Sequence, residues 1–180
     1  MAAENEVPKQ RFLLKNHNVR LLIPDVMGFK QVRVSDVRTP NESVYLPHSS
    51  VKGGGFSCKD KSRANNARKA KASAVRKGQG TSGETFEGIA SYIIKVRPQI
   101  SFLENVPETE SKDYFNEDTL EWESDAEYIK QKFEAHDFFV MTVVLFAEER
   151  GSAKRRDRWW AVILDLLPEV ATVFSAHLAP

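Results

Sequence analysis

The chain has 180 residues, 41% of them hydrophobic and 28% charged, which suits one domain with a core and is too little for two large ones. Its 26 Lys and Arg against 25 Asp and Glu leave a net charge of +1, so any nucleic-acid signal has to be local rather than global. The single cysteine excludes an intrachain disulfide framework and a multi-cysteine zinc site and fits a reducing compartment, while the start Met-Ala-Ala-Glu-Asn-Glu lacks the basic and apolar parts of a secretory signal.

The elements alternate along the chain. Residues 9–16, after Pro8, read as a short helix, and residues 20–23 as a short strand stopped by Pro24. Val32, Val34 and Val37 fall in a stretch with no clear period, read as irregular. Residues 43–56 read as extended chain running into Gly53-Gly54-Gly55. Thr81-Ser82-Gly83-Glu84 has the spacing of a capping box, and Phe86, Ile89, Ile93 and Val96 then mark one face of a helix that Pro98 limits. Residues 100–103 form a short apolar run of the kind found in buried strands. Ser124-Asp125-Ala126-Glu127 is a second capping box, opening a helix with Ala126, Ile129 and Phe133 on one side. Residues 138–146 and 159–164 are rich in β-branched and aromatic residues, hence strands; the first of these runs belongs to the longest apolar stretch, about half of a membrane span. Strand–helix–strand–helix–strand implies an α/β sheet with helices on both faces.

Charge is segregated. Residues 59–77 hold eight basic residues and one acid, and residues 104–127 reverse the balance with Glu108, Glu110, Asp113, Glu117, Asp118, Glu121 and Glu123 among others. The four histidines, His17, His48, His136 and His177, form no ligand spacing, so no metal is expected, and with no apolar run of membrane length no membrane partner is expected either.

Three clusters carry chemistry. Gly53-Gly54-Gly55-Phe56-Ser57-Cys58 is a glycine-rich turn leaving a strand with the sole thiol at its end, and the neighbouring Lys59 and Lys61 favour a thiolate, which a nucleophile requires. An inert buried thiol is the competing reading. Glu104-Asn105-Val106 follows a strand directly, so its carboxylate stands at the strand's carboxyl end, where open α/β sheets bind ligands; a solvated acid is the alternative. Lys154-Arg155-Arg156-Asp157-Arg158 precedes the last strand and offers planar donor forks to a phosphate or a base carbonyl, or else is a solvated basic loop.

In this order the clusters resemble the cytosine carbon-5 DNA methyltransferase family. Gly55-Phe56-Ser57-Cys58-Lys59-Asp60-Lys61-Ser62 is similar to its G-x-P-C-x-x-x-S loop, Glu104-Asn105-Val106 matches its E-N-V, with Arg97-Pro98 ahead, and residues 154–158 resemble its Q-x-R-x-R. Gly83-Glu84-Thr85-Phe86 resembles the helix start beside the methyl donor. Asp25 and Glu4 resemble the acids near the donor's adenine and ribose.

The resemblance implies a Rossmann-like, S-adenosylmethionine-dependent methyltransferase sheet. It implies Cys58 as nucleophile, Glu104 as the group that steadies the cytosine ring, and Arg156 and Arg158 beside the base. Glu4, Asp25, Gly55, Thr85 and Phe86 would hold S-adenosylmethionine. Lys59, Lys61, Arg63, Arg68, Lys69 and Lys71 would meet DNA phosphates from a loop that closes over a flipped base. Residues 1–164 are then a partial catalytic domain, with 59–80 a basic mobile loop and 107–123 an acidic connector, and residues 165–180 a C-terminal tail. The family's first strand with its F-x-G-x-G loop and its target-recognition region are expected to be missing, and Ser57 and Lys154 replace a proline and a glutamine. Two rival readings stay open: an inactive nucleic-acid-binding or interaction module, and the same chemistry on RNA. The expected location is nuclear or cytoplasmic.

Overall fold

Short strands and caps organise the N-terminal third. The computed structural model describes residues 1–61, 66, 74–151 and 156–166. Strand β1 (Ala2–Ala3) is followed by helix α1 (Val7–Asn16), whose Pro8 lies in the first turn, where no backbone donor is needed. Strand β2 (Leu22–Ile23) pairs in parallel with β1. Asp25 then caps a 3-10 turn, Val26–Lys30, accepting the Met27 N–H at 2.7 Å.

The stretch read as irregular is a hairpin of β3 (Arg33–Asp36) and β4 (Thr39–Tyr45). Asp36 makes the reversal by accepting the Arg38 N–H at 2.8 Å. Such side-chain-directed turns leave no trace in hydrophobic spacing.

The principal sheet carries β5 (Val51–Gly55), then helix α2 (Gly80–Val96), then β6 (Ile100–Asn105). The acidic connector folds as a 3-10 turn, Pro107–Glu110, and a hairpin of β7 (Tyr114–Asn116) and β8 (Glu121–Glu123). Helix α3 (Asp125–Glu134), β9 (Phe138–Leu145) and β10 (Arg158–Asp165) follow. The strand order is β5-β6-β10-β9; β5 and β6 are parallel, and β10 runs antiparallel to both of its neighbours.

Period-2 alternation splits each strand between two faces. Leu103, Val140, Trp159, Ala161 and Ile163 point to one face, where Phe86, Ile89 and Ile93 of α2 and Ile129 and Phe133 of α3 cover them. Each such buried aliphatic or aromatic side chain contributes about 1.5–3 kcal/mol. Among the described residues, α2 and α3 both cover this face. On the other, among the described residues, Phe102, Phe139, Met141, Val143 and Leu145 stay exposed.

The two helices start differently. The Ser124 box of α3 closes as expected: the Glu127 N–H reaches Ser124 Oγ at 3.1 Å and the Ser124 N–H reaches Glu127 Oε2 at 2.7 Å. The Thr81 box does not form. Helix α2 begins after Gln79, which offers no side-chain cap, and its Ser82 N–H is taken at 2.8 Å by Asp60. A distant carboxylate supplies what the local hydroxyl was expected to give. The helix ends at left-handed Arg97 (φ 50°), whose guanidinium bonds both oxygens of Asp165 at 3.1 and 2.6 Å and so ties α2 to the end of β10. No described helix is long and apolar enough to cross a membrane.

Lys52 of β5 faces this helix cover although it carries charge. It is 9% exposed, and its Nζ stands 3.9 Å from the Phe29 ring centre and 4.9 Å from that of Tyr92. Burial lowers its pKa to about 8, so the folded state disfavours the ammonium and the cost is complete below that pH. Lys52→Met is therefore expected to stabilise the protein at pH 7 by about 2–3 kcal/mol. The gain should shrink as pH rises through 8 towards 10.5, where both states become neutral. Urea unfolding at pH 7 and pH 10 measures the difference; an equal effect at both would refute the assignment.

Candidate active site

The pairing of β5 with β6 sets the site. In this register Gly55 lies opposite Glu104, and both strands leave the sheet at the same rim. A Cβ on Gly55 would stand 2.8 Å from Glu104 Oε2, so the missing side chain is what lets the carboxylate lie there. Asn105 then holds the two exits together: its Nδ2 donates to the Phe56 carbonyl at 3.1 Å, and its Oδ1 accepts the Val106 N–H at 2.8 Å. The antiparallel β10 brings its first residue to the same rim, where Arg158 Nε meets Glu104 Oε1 at 2.6 Å.

Gly55, Glu104, Arg156 and Arg158 line one cavity of about 520 Å³, with Phe102 and Trp160 as its apolar walls. A flat apolar wall beside a carboxylate and two guanidinium groups suits a planar, hydrogen-bonding ring. Cys58 is half-buried three residues beyond Gly55, in a turn closed by the Lys61 N–H on the Cys58 carbonyl at 3.1 Å. Ser57 donates its N–H to Thr85 Oγ1 at 2.8 Å.

The residues expected to hold a cofactor separate. Gly55 and Thr85 line a second cavity of about 310 Å³ together with Ala2, Ala3 and Val26. Glu4 and Asp25 stand just past the ends of β1 and β2, and their carboxylates accept the N–H groups of Glu6 at 2.9 Å and Met27 at 2.7 Å. Phe86 is elsewhere: it is wholly buried, with Phe56, Tyr128 and Phe133 around its ring. It serves the core, because position 86 falls on the inward stripe of α2.

The basic loop also departs from expectation. Lys61 is 4% exposed, and its ammonium lies 2.8 Å from Asp113 and 3.0 Å from Asp125. Its ammonium is thus turned inward between two carboxylates, not outward as a phosphate contact was expected to be. Arg76 behaves alike, paired with Glu123 and stacked on Tyr114 and Tyr128. Lys59 is exposed. Arg63, Arg68, Lys69 and Lys71, together with Lys154 and residues 167–180, lie outside the described residues. Among the described residues no group of three or more His, Cys, Asp or Glu is placed to hold a metal ion. The expectations passed over Asp60, although a lone acid in so basic a stretch was the available signal.

Asp125 gives the Lys61 anchor a pH signature. Burial, partly offset by Lys61, raises its pKa from 3.8 to about 6. The group favours the folded state below pH 4, and this contribution is lost as pH rises through 6. Asp125→Asn should therefore gain stability relative to the parent by about 1–2 kcal/mol between pH 4 and pH 6.5. Paired denaturant titrations across that range check it; parallel curves would remove Asp125 as the titrating group.

Solved structures share this arrangement of elements. The Entamoeba histolytica methyltransferase EhMeth superposes with a TM-score of 0.52 at 11% identity, over 93% of this chain and 45% of its own. The S. pombe Dnmt2 methyltransferase gives 0.55 at 11% identity, over 92% and 41%. The chain thus spans less than half the length of either. No curated protein sequence matches it significantly. The family described as C-5 cytosine-specific DNA methylase matches residues 26–167, a stretch that contains Gly55, Cys58, Glu104 and Arg158. By that match, over most of its length, the chain belongs to the C-5 cytosine-specific DNA methylase family.

Proposed function

We propose that the protein transfers a methyl group from S-adenosylmethionine to carbon 5 of cytosine in DNA through a covalent adduct with Cys58. The observation that carries this reading is the Gly55–Glu104 register, which sends the cysteine turn and the Glu104 carboxylate off adjacent parallel strands at one rim, with Arg158 holding the carboxylate.

Carbon 5 of cytosine is a poor nucleophile. Attack of the Cys58 thiolate on carbon 6 forms a C–S bond and moves the electron pair of the 5,6 double bond towards carbon 5. Glu104 hydrogen-bonds the ring nitrogen and the amino group and steadies the charge that develops there. Arg158 fixes the Glu104 carboxylate, and Arg156 faces the same cavity. After methylation the carbon 5 proton leaves to base, the C–S bond breaks, and Cys58 returns as thiolate. The target base has to leave its stack for any of this to occur.

The residues present fit the methyl donor. Gly53, Gly54 and Gly55 line the second cavity with no side chains, Ala2 and Ala3 are small, and Thr85 adds a hydroxyl. These residues would hold S-adenosylmethionine, with Glu4 and Asp25 at the ends of their strands to receive the ribose and adenine. When bound, that group supplies an electrophilic methyl.

The test is incubation with tritiated S-adenosylmethionine and either DNA or RNA. Label is expected in DNA, and Cys58→Ala should lower incorporation about a thousand-fold or more. Label in RNA alone would change the substrate. An adduct on 5-fluorocytosine DNA that forms without Cys58 would overturn the mechanism. Absence of label together with salt-sensitive DNA binding would favour a non-catalytic binding module.

A further inference from the structure

Two hydrogen-bonded links run from the first turns of α2 to the residues on either side of Cys58. On one side the Ser57 N–H donates to Thr85 Oγ1 at 2.8 Å. On the other, Asp60 and Ser82 bond reciprocally: the Ser82 N–H donates to Asp60 Oδ2 at 2.8 Å, and the Asp60 N–H donates to Ser82 Oγ at 3.1 Å. Positions 82 and 85 are three apart, so both links leave one side of the helix. Asp60 is 1% exposed and Ser82 is wholly buried, which strengthens bonds that water would otherwise contest.

The backbone around this contact is built for close approach. Gly80 has φ +64°, and a Cβ there would stand 2.8 Å from Asp60 Oδ2. A Cβ on Gly83 would fall 2.2 Å from the Ala74 carbonyl oxygen, so the returning limb of the basic loop closes on the same turn of helix. Helix α2 needs a cap at Ser82, yet a cap alone could come from its own sequence, as it does in α3. Here the cap is drawn from the residue two beyond the thiol.

We propose that Asp60 and Ser82 are positioning residues that fix the Cys58 turn against α2, and so aim the thiol. The proposal rests on the reading of Cys58 as nucleophile. Cys58 is the only thiol of the 180 residues, so its alkylation by iodoacetamide reports on this turn and nothing else.

The experiment compares the parent with Asp60→Ala, Asp60→Asn and Ser82→Ala, each shown to be folded by circular dichroism. Two rates are read: Cys58 alkylation, and adduct formation on 5-fluorocytosine DNA in the presence of S-adenosylmethionine. In Asp60→Ala, alkylation should rise several-fold as the turn loosens, while adduct formation falls by about tenfold or more. A merely structural role would lower adduct formation only in proportion to the folded fraction. Asp60→Asn keeps an oxygen for the Ser82 N–H and should restore both rates to within about twofold of the parent. Ser82→Ala removes one bond of the two and should fall between. If Asp60→Ala fails to fold, Ser82→Ala alone decides. Parental rates in a folded Asp60→Ala, or in its Ser82→Ala substitute, overturn the proposal. If the parent forms no adduct but Asp60→Ala still speeds alkylation, the nucleophile reading fails while the link between Asp60 and the turn stands.

Discussion

The parallel register between β5 and β6 is the constraint on which the site depends. Gly55 lies opposite Glu104, and the sheet's pleat sends the carboxylate away from the helix-covered face into an open cavity. A shift of one residue would turn Glu104 inward among Phe86, Ile89 and Ile93, where an ionised acid is costly. Leu103 and the wholly buried Ser101 prevent the shift by occupying that inner face. The apolar packing of the core therefore decides where the Glu104 carboxylate points.

Segregated charge in the sequence becomes local pairing in the fold. Lys61 and Arg76 belong to the basic stretch, while Asp113, Glu123 and Asp125 belong to the acidic one, and they meet at the foot of the loop that follows Cys58. Buried pairs of this kind add little net stability, because desolvation cancels much of the attraction. They do specify geometry, since the buried Lys61 ammonium is held between two carboxylates from distant parts of the chain. Among the described residues, the two oppositely charged segments meet through these pairs.

Most long elements were legible in the sequence. The spacing of Phe86, Ile89 and Ile93 gave α2, Ser124 with Glu127 gave the start of α3, and β-branched runs gave β9 and β10. Strand ends place Cys58 and Glu104 on one rim already in the sequence, but the residue-by-residue register and the antiparallel course of β10, which brings Arg158 to Glu104, are long-range properties. Three local expectations meet distant partners in the fold. The Thr81 box rests on local spacing, and the phosphate contact of Lys61 and the cofactor role of Phe86 rest on the resemblance of short motifs; none of the three takes tertiary partners into account. Tertiary partners decided each of them: Asp60, the pair Asp113 and Asp125, and the aromatic cluster of the core. The β3–β4 hairpin was missed because its turn is made by a side chain, not by a pattern.

The solitary sulfur of Cys58 has a consequence for how the molecule meets oxidants. No second thiol of the 180 residues can trap a sulfenic acid formed there, so it either oxidises further towards the irreversible acids or forms a disulfide with an outside thiol, including that of a second molecule's turn. Such a disulfide would bury both sulfurs at the point where a base is proposed to enter. On the proposed reading of Cys58, reductant becomes a condition of function as well as of storage.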